Sequence, residues 1–250
     1  MELEFNGKVA LVTGSSRGIG RTIAETLYAE GCKVVINGRS REDLASAAEA
    51  LPGTIIAQGD ISQPQEAKRV VDHALTSFGG IDILVCNVGS GRSMPPGEEN
   101  YEEWQRVFAV NLWSATNMVE AARNALAARK GSVVCISSIC GKEVVFGAPI
   151  TYSVAKAALN AYVRGIARPL GKQGVRINAV APGNIMFDGS VWSRKLAEDA
   201  GAVKTMLERD VALGKLGAPR DVAELVAYLA SPRAGFATGG VWTLDGGQLH

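Results

Sequence analysis

The chain has 250 residues, of which 47% are apolar and 20% charged, with a formal net charge of +1. That is enough apolar material for a large core, and the near-neutral balance implies no nucleic acid and no membrane surface as a partner. No uncharged apolar run reaches the ~18–20 residues that span a bilayer, and the acidic start Met1-Glu2-Leu3-Glu4 lacks the regions of a cleaved signal peptide. A cytoplasmic protein is therefore expected, with Cys32, Cys86, Cys135 and Cys140 reduced. Only His73 and His250 accompany those cysteines, and none has close metal-ligand spacing, so no metal site is expected.

Short β-branched runs alternate with longer helical patterns along the whole chain. Strands are predicted at Val9–Thr13, Val34–Asn37, Thr54–Gln58, Ile83–Asn87, Val133–Ser137, Ile177–Ala181 and Val241–Leu244. Helices are predicted near Gly20–Glu30, Arg41–Leu51, Pro64–Phe78, Glu102–Ala128, Tyr152–Lys172 and Arg220–Leu229. Ser40 is placed to cap the second helix, and Ser62-Gln63-Pro64-Gln65 reads as a capping box for the third. Pro169 should kink the helix that begins at Tyr152. Such alternation predicts an α/β fold in one domain: a doubly wound parallel sheet of about seven strands with helices on both faces. The nearly continuous apolar character of the strands agrees with burial on both sides.

Residues Gly183 to Gly217 interrupt the pattern, with helical signal only at Ser193–Ala200 and Val203–Leu213. So long an excursion after a strand's carboxyl end reads as a lid, at about 184–216, over a peripheral helical insertion.

Between the first strand and first helix lies Thr13-Gly14-Ser15-Ser16-Arg17-Gly18-Ile19-Gly20. Glycines there permit a sharp turn and close approach of a pyrophosphate to the helix N-terminus. The second strand ends Ile36-Asn37-Gly38-Arg39, without the carboxylate that would bind an NAD ribose hydroxyl. Arg17 and Arg39 could pair with a 2′-phosphate, which favours NADP(H) over NAD(H); solvated surface arginines are the alternative.

Tyr152 and Lys156 stand one helical turn apart on one face. A phenol has a pKa of about 10, and a cation ~4 Å away at an effective dielectric near 20 favours the phenolate by about 4 kcal/mol, roughly three pKa units. Alone, the pair is equally an ordinary buried aromatic with a snorkelling amine.

Together, Thr13-Gly-x-x-x-Gly-Ile-Gly20, Asp60, Asn87-Val88-Gly89, Asn111, Ser137-Ser138, Tyr152-x-x-x-Lys156, Pro182-Gly183 and Asp245-Gly-Gly247 span essentially the whole chain. In order and spacing it resembles the classical short-chain dehydrogenase/reductase family. The resemblance implies a Rossmann-like three-layer fold, a nicotinamide cofactor and a tetrad of Asn111, Ser138, Tyr152 and Lys156. Tyr152 would protonate the carbonyl oxygen and Lys156 would lower its pKa and bind the nicotinamide ribose. Ser138 would stabilise the oxyanion, and Asn111 would hold a relay water. Cofactor contacts would come from Gly14, Ser16, Arg17, Gly18, Ile19, Gly20, Arg39, Asp60, Ile61, Asn87, Gly89, Tyr152, Lys156, Pro182, Gly183 and Ile185.

The chain departs from the family pattern at three places. Ser138 lies fourteen residues before Tyr152, where thirteen is usual and would fall on Ile139. The turn Ser138-Ile-Cys-Gly141 still matches, which puts the extra residue between Gly141 and Tyr152, with Ser137 as the fallback. Val88 replaces the usual alanine and should crowd the cofactor loop; Phe187 replaces a threonine and should make the mouth of the site more apolar.

Candidate substrate lining is Ser90 to Pro96, Glu143 to Phe146 and Asn184 to Trp192, with Arg92 and Lys142 available to an anionic group. The resemblance is nearest to 3-oxoacyl-acyl-carrier-protein reductases, and Arg129, Lys130 and Lys172 could form a patch for an acyl-carrier protein. A reductase of a sugar, polyol or other secondary alcohol is the alternative, and a non-catalytic NADP-binding regulator is one of a different class. The family also implies a homotetramer, built through helices 102–128 and 152–172 and the segment 241–250.

Overall fold

The computed structural model describes residues 2–145 and 147–248, so Phe146 and His250 fall outside it. All seven predicted strands form, as β1 (Val9–Val12), β2 (Lys33–Gly38), β3 (Ile55–Gln58), β4 (Ile83–Cys86), β5 (Ser132–Ile136), β6 (Arg176–Pro182) and β7 (Val241–Leu244). They build one parallel sheet in the order β3-β2-β1-β4-β5-β6-β7. Successive side chains leave a strand on opposite faces. Ala10, Val12, Ile83 and Val85 pack with α1 (Gly18–Ala29), α2 (Arg41–Ala48) and α9 (Pro219–Ala230). Leu11, Leu84, Cys86 and Cys135 pack with α3 (Pro64–Phe78), α5 (Ser114–Arg129) and α6 (Ile150–Gly171) on the other face. The remaining helices are α4 (Tyr101–Phe108), α7 (Val191–Glu198) and α8 (Ala200–Asp210), the last two in the 184–216 excursion.

Strand order reverses between β1 and β4, so the loops leaving these strands diverge and open a crevice at their carboxyl ends. Thr13 and Asn87 tie the two strand ends together. The Thr13 hydroxyl donates to the Val85 carbonyl (3.1 Å) and accepts from the Asn87 N–H (2.9 Å). The Asn87 amide in turn donates to the carbonyls of Thr13 and Gly14, both at 3.0 Å.

Two local expectations are corrected. The single helix expected over Glu102–Ala128 is interrupted by a π-helical turn at Ala109–Trp113. Asn111 supplies the reason: its amide donates to the Val107 carbonyl (3.0 Å), the acceptor that an α-helix reserves for its own N–H. The capping box at Ser62–Gln65 does not form, because Ser62 turns back to donate to the Asp60 carboxylate (2.8 Å) and Gln63 becomes the N-cap. Ser40 does cap α2, accepting from the Asp43 N–H at 3.1 Å. Pro169 lies inside α6, near its end, where its missing N–H leaves the Gly165 carbonyl without its intrahelical donor.

At the opposite edge of the sheet Arg176 donates to the carbonyls of Leu229 (2.8 Å), Ala230 (3.2 Å) and Ser231 (2.9 Å). A cation there satisfies the open carbonyls that end α9 and meets the negative end of its dipole. Replacing Arg176 by Met should lower stability by about 2–3 kcal/mol, the scale of lost charged hydrogen bonds. Urea unfolding will read this as a lower midpoint at unchanged slope, with ligand affinity at the distant carboxyl edge preserved.

Candidate active site

The turn after β1 is shaped by backbone that side chains would obstruct. Gly14 and Gly18 have φ of +61° and +56°, and a Cβ on Gly20 would lie 2.3 Å from both the Gly14 carbonyl oxygen and the Asn87 amide. No side chain caps the start of α1, and its first turn carries no carboxylate. The N-terminus of α1 therefore suits a phosphate group, as the glycine-rich motif requires. Val88 lies beside Gly14, its Cγ2 3.0 Å from where a Cβ would stand there. The Phe187 ring lies against Gly18, 2.6 Å from an ideal Cβ, so this residue lays an apolar surface on the turn from the 184–216 excursion. A cavity of about 360 Å³ opens beside that contact, lined by Arg17, Arg21, Thr22, Glu25 and Asp188 among others.

At the end of β2, Asn37 is buried and its amide donates to the carbonyls of Ala57 (2.9 Å) and Gly59 (3.2 Å). No carboxylate stands there for a ribose hydroxyl, while Arg17 and Arg39 are exposed. Asp60 is exposed and accepts from Ser62; Ile61 is buried and its carbonyl accepts from the Asn117 amide (3.1 Å). Gly183, following Pro182, stands where a Cβ would meet Asp245 at 2.8 Å, and Ile185 bridges to Gly217.

The carboxyl ends of β5 and α6's first turns bring Ser138, Tyr152 and Lys156 together. Ser137 is spent elsewhere: its hydroxyl donates to Asn160 Oδ1 at 2.6 Å, and Asn160 Nδ2 donates to the Gly141 carbonyl at 2.9 Å. The Ser138 hydroxyl accepts from the Cys140 N–H (3.2 Å) and lies close enough to the Tyr152 phenol to favour its ionised form. Gly141 makes this possible, because a Cβ there would lie 2.5 Å from the Lys156 carbonyl carbon. Asn160 is a residue that motif reasoning missed. Its signal was a polar side chain on the apolar face of α6, one turn beyond Lys156.

Lys156 is buried and its ammonium donates to the Ile136 carbonyl at 2.8 Å. An ideal Cβ on Gly89 would lie 3.0 Å from Lys156 Nζ and 3.1 Å from Asn111 Oδ1, so Gly89 separates these two groups. Asn111 holds the Ser90 backbone from both sides, accepting its N–H (2.9 Å) and donating to its carbonyl (3.1 Å).

The electrostatics correct the simple expectation of a phenol near neutrality. Lys156 Nζ sits 5.9 Å from the Tyr152 ring centroid and points to Ile136. Burial pushes the Tyr152 phenol up to about 12, and the Ser138 hydroxyl is what pulls against it. The same burial pushes the Lys156 ammonium down to about 8.

Lys142 is engaged with the Thr243 hydroxyl, and Arg92 is exposed, its carbonyl accepting from Arg106 (2.9 Å). Lys172 caps the far end of α6, about 30 Å from Tyr152 at 1.5 Å per residue. Arg129 and Lys130 end α5, just before β5 begins, at the same far edge of the sheet. In the 184–216 excursion Lys195 stacks over Trp192 at 4.7 Å. Among the described residues no His, Cys, Asp or Glu cluster could hold a metal, and no helix is long and apolar enough to cross a membrane.

The buried lysine sets a stability signature. The unfolded chain keeps this proton up to a pKa near 10.5, while the folded chain releases it at about 8. Between those values the unfolded state binds more protons, so stability rises with pH across the window. The stability of wild type relative to Lys156→Met should climb by on the order of 3 kcal/mol from pH 7.5 to 10.5. Urea midpoints for the pair will show it; a flat difference means that the amine is not held in this desolvated place.

The family model described as enoyl-(acyl carrier protein) reductase matches residues 14–248. The chain is 38% identical over 244 residues to the ketoacyl reductase assigned to the granaticin polyketide synthase of Streptomyces violaceoruber, covering 96% of this chain and 95% of that protein. It is 34% identical to the 3-oxoacyl-[acyl-carrier-protein] reductase of Escherichia coli, covering 98% of this chain and 99% of that one. Among solved structures, L-sorbose reductase from Gluconobacter frateurii, complexed with NADPH and L-sorbose, superposes with a TM-score of 0.93 at 30% identity, covering 100% of this chain and 99% of that one. With a glycine-rich turn at the switch point of a seven-stranded parallel sheet, and Ser138, Tyr152 and Lys156 beside it, the chain belongs to the classical short-chain dehydrogenase/reductase family of oxidoreductases, close to the 3-oxoacyl-acyl-carrier-protein reductases.

Proposed function

We propose that the chain is an NADP(H)-dependent reductase that interconverts a carbonyl and a secondary alcohol, with 3-oxoacyl thioesters as its first substrate class. The observation that carries this reading is the placing of the Tyr152 phenol, the Ser138 hydroxyl and the buried Lys156 ammonium at the crevice beside the glycine-rich turn. Gly14, Ser16, Gly18, Ile19 and Gly20 suit the diphosphate, and Arg17 and Arg39 a 2′-phosphate. Asp60, Ile61, Asn87 and Gly89 would face the adenosine half; Pro182, Gly183, Ile185, Tyr152 and Lys156 would face the nicotinamide half. Bound there, the cofactor supplies the hydride.

Tyr152 gives its proton to the carbonyl oxygen. A phenol held up to about 12 stays protonated at neutral pH, which is the form that reduction needs. Ser138 shares the same oxygen and stabilises its developing charge. Lys156, charged below pH 8, stabilises the phenolate left behind. Asn111 Oδ1 accepts one bond from Ser90 and keeps a second lone pair for a relay water.

The 30% identity to L-sorbose reductase over the whole chain supports the second reading, a reductase of a sugar, polyol or other small ketone. The distance of Arg129, Lys130 and Lys172 from the cleft favours it too. The 184–216 excursion is the proposed lid of a one-domain enzyme. A homotetramer is proposed from the family, and exposed Trp113 and Trp242 lie on the segments it would use; a monomeric mass by light scattering refutes it.

NADPH and NADH consumption should be followed with an acetoacetyl thioester and a panel of ketones, for wild type and Tyr152→Phe. Thioester turnover with NADPH should fall at least ~100-fold in the variant, the low end of a general acid's contribution. Turnover of another ketone alone would remove the acyl reading and keep the mechanism. Preference for NADH would overturn the roles given to Arg17 and Arg39. Tyr152→Phe with unchanged biological activity would favour the regulator.

A further inference from the structure

We propose that Glu103 is a positioning residue that holds the Ser90–Met94 loop as the wall of the substrate cleft facing Tyr152, an inference that rests on the reductase reading above. Glu103 is one of the few buried carboxylates in the chain, and none of the motifs accounts for it. Its oxygens accept from the Ser93 hydroxyl (2.7 Å), the Met94 N–H (3.2 Å) and both Nε and Nη2 of Arg106 (2.7 Å each). Four donors converge on one carboxylate that sits on α4, not on the loop itself. Asn100 fixes that side chain's base by capping the Glu103 N–H at 2.9 Å.

The network reaches the chemistry at two points. An ionised carboxylate only accepts, so the Ser93 proton belongs to Glu103, and Thr151 must donate to Ser93 across their 2.5 Å contact. Thr151 is buried in the first turn of α6 and immediately precedes Tyr152. Arg106 also donates to the Arg92 carbonyl at 2.9 Å, so loop residues 92, 93 and 94 are all held. Asn111 holds the other end at Ser90. Between the two anchors lies Gly91, whose ideal Cβ would stand 4.0 Å from Tyr152 Cζ. The loop thus lies against the phenol ring, beside the hydroxyl that a ketone must reach. Arg106 holds the carboxyl down to about 2, so the clamp stays charged across the working pH range.

Glutamine at 103 offers one accepting oxygen in place of two, and its amide nitrogen cannot accept from Ser93, Met94 or Arg106. With NADPH and whichever ketone the wild type reduces, Glu103→Gln should raise the ketone KM about tenfold while kcat changes less, the pattern of lost uniform binding. NADPH affinity by fluorescence should stay within about twofold, because the turn after β1 is untouched. Ser93→Ala, which cuts the link to Thr151 and spares the Arg106 pair, should move the ketone KM the same way by a smaller factor. Wild-type KM in both variants overturns the proposal, and so does NADPH affinity falling in step with the ketone's, which marks a general structural role. If Glu103→Gln does not fold, Ser93→Ala decides by the same two criteria. Amide exchange at Ser90–Met94 gives a readout free of activity: it should quicken in the variants while α1 and α6 keep their protection. A silent wild type would sink the reductase reading alone, and unchanged exchange would sink the clamp alone.

Discussion

Every strand of the sheet runs in one direction and both its faces are covered by helices, so polar chemistry is confined to the strand ends. The carboxyl ends at the reversal between β1 and β4 are where loops part and backbone N–H groups face outward. Thr13 and Asn87 hold that point together by bonding across it, and the Asn87 amide fixes the glycine-rich turn by donating to the carbonyls of Thr13 and Gly14. The same edge receives Ser138 from β5, Gly183 from β6 and Tyr152 from the start of α6. The site is thus a consequence of parallel strands with buried faces, and each residue contributes according to where its strand or helix ends.

Burial at this edge acts in opposite senses on its two ionisable groups. It raises the phenol to about 12 and lowers the amine to about 8, driving the two apart and placing the phenol above the amine. Desolvation favours the neutral form of each, a protonated phenol and a deprotonated amine. The Ser138 hydroxyl opposes this at the phenol, and the Ile136 carbonyl accepts from the amine. A phenol kept neutral beside an ammonium able to stabilise its anion is an arrangement fitted to giving a proton away.

Close packing of backbone does the fine positioning. Gly141 lets the turn after Ser138 touch the backbone of α6 at Lys156 and Ala157, which puts the serine hydroxyl at the phenol. Gly89 lets the loop after β4 pass between Lys156 and Asn111. The π-helical turn at Ala109–Trp113 serves the same end, since it frees the Asn111 side chain to hold Ser90. Where these contacts are backbone to backbone, no side chain can be added without moving an element.

The sequence by itself determined the seven strands, their parallel arrangement and the residues of the glycine-rich turn, because local period and glycine placement are properties of contiguous residues. The Tyr152–Lys156 spacing was legible for the same reason: a helix places residues four apart on one face. Tertiary structure alone decided that Ser137 is committed to Asn160 and that Ser138 meets the phenol, since neighbours in sequence leave a strand on opposite faces. It also decided that Lys156 points to Ile136 rather than along the ring, that Ser62 serves Asp60 rather than α3, and that the basic residues 129, 130 and 172 lie at the far edge. The Glu103 network was invisible for a physical reason: it joins a loop and two helices through hydrogen bonds spanning up to 58 residues of chain, and no local pattern records which distant donors will meet a buried carboxylate.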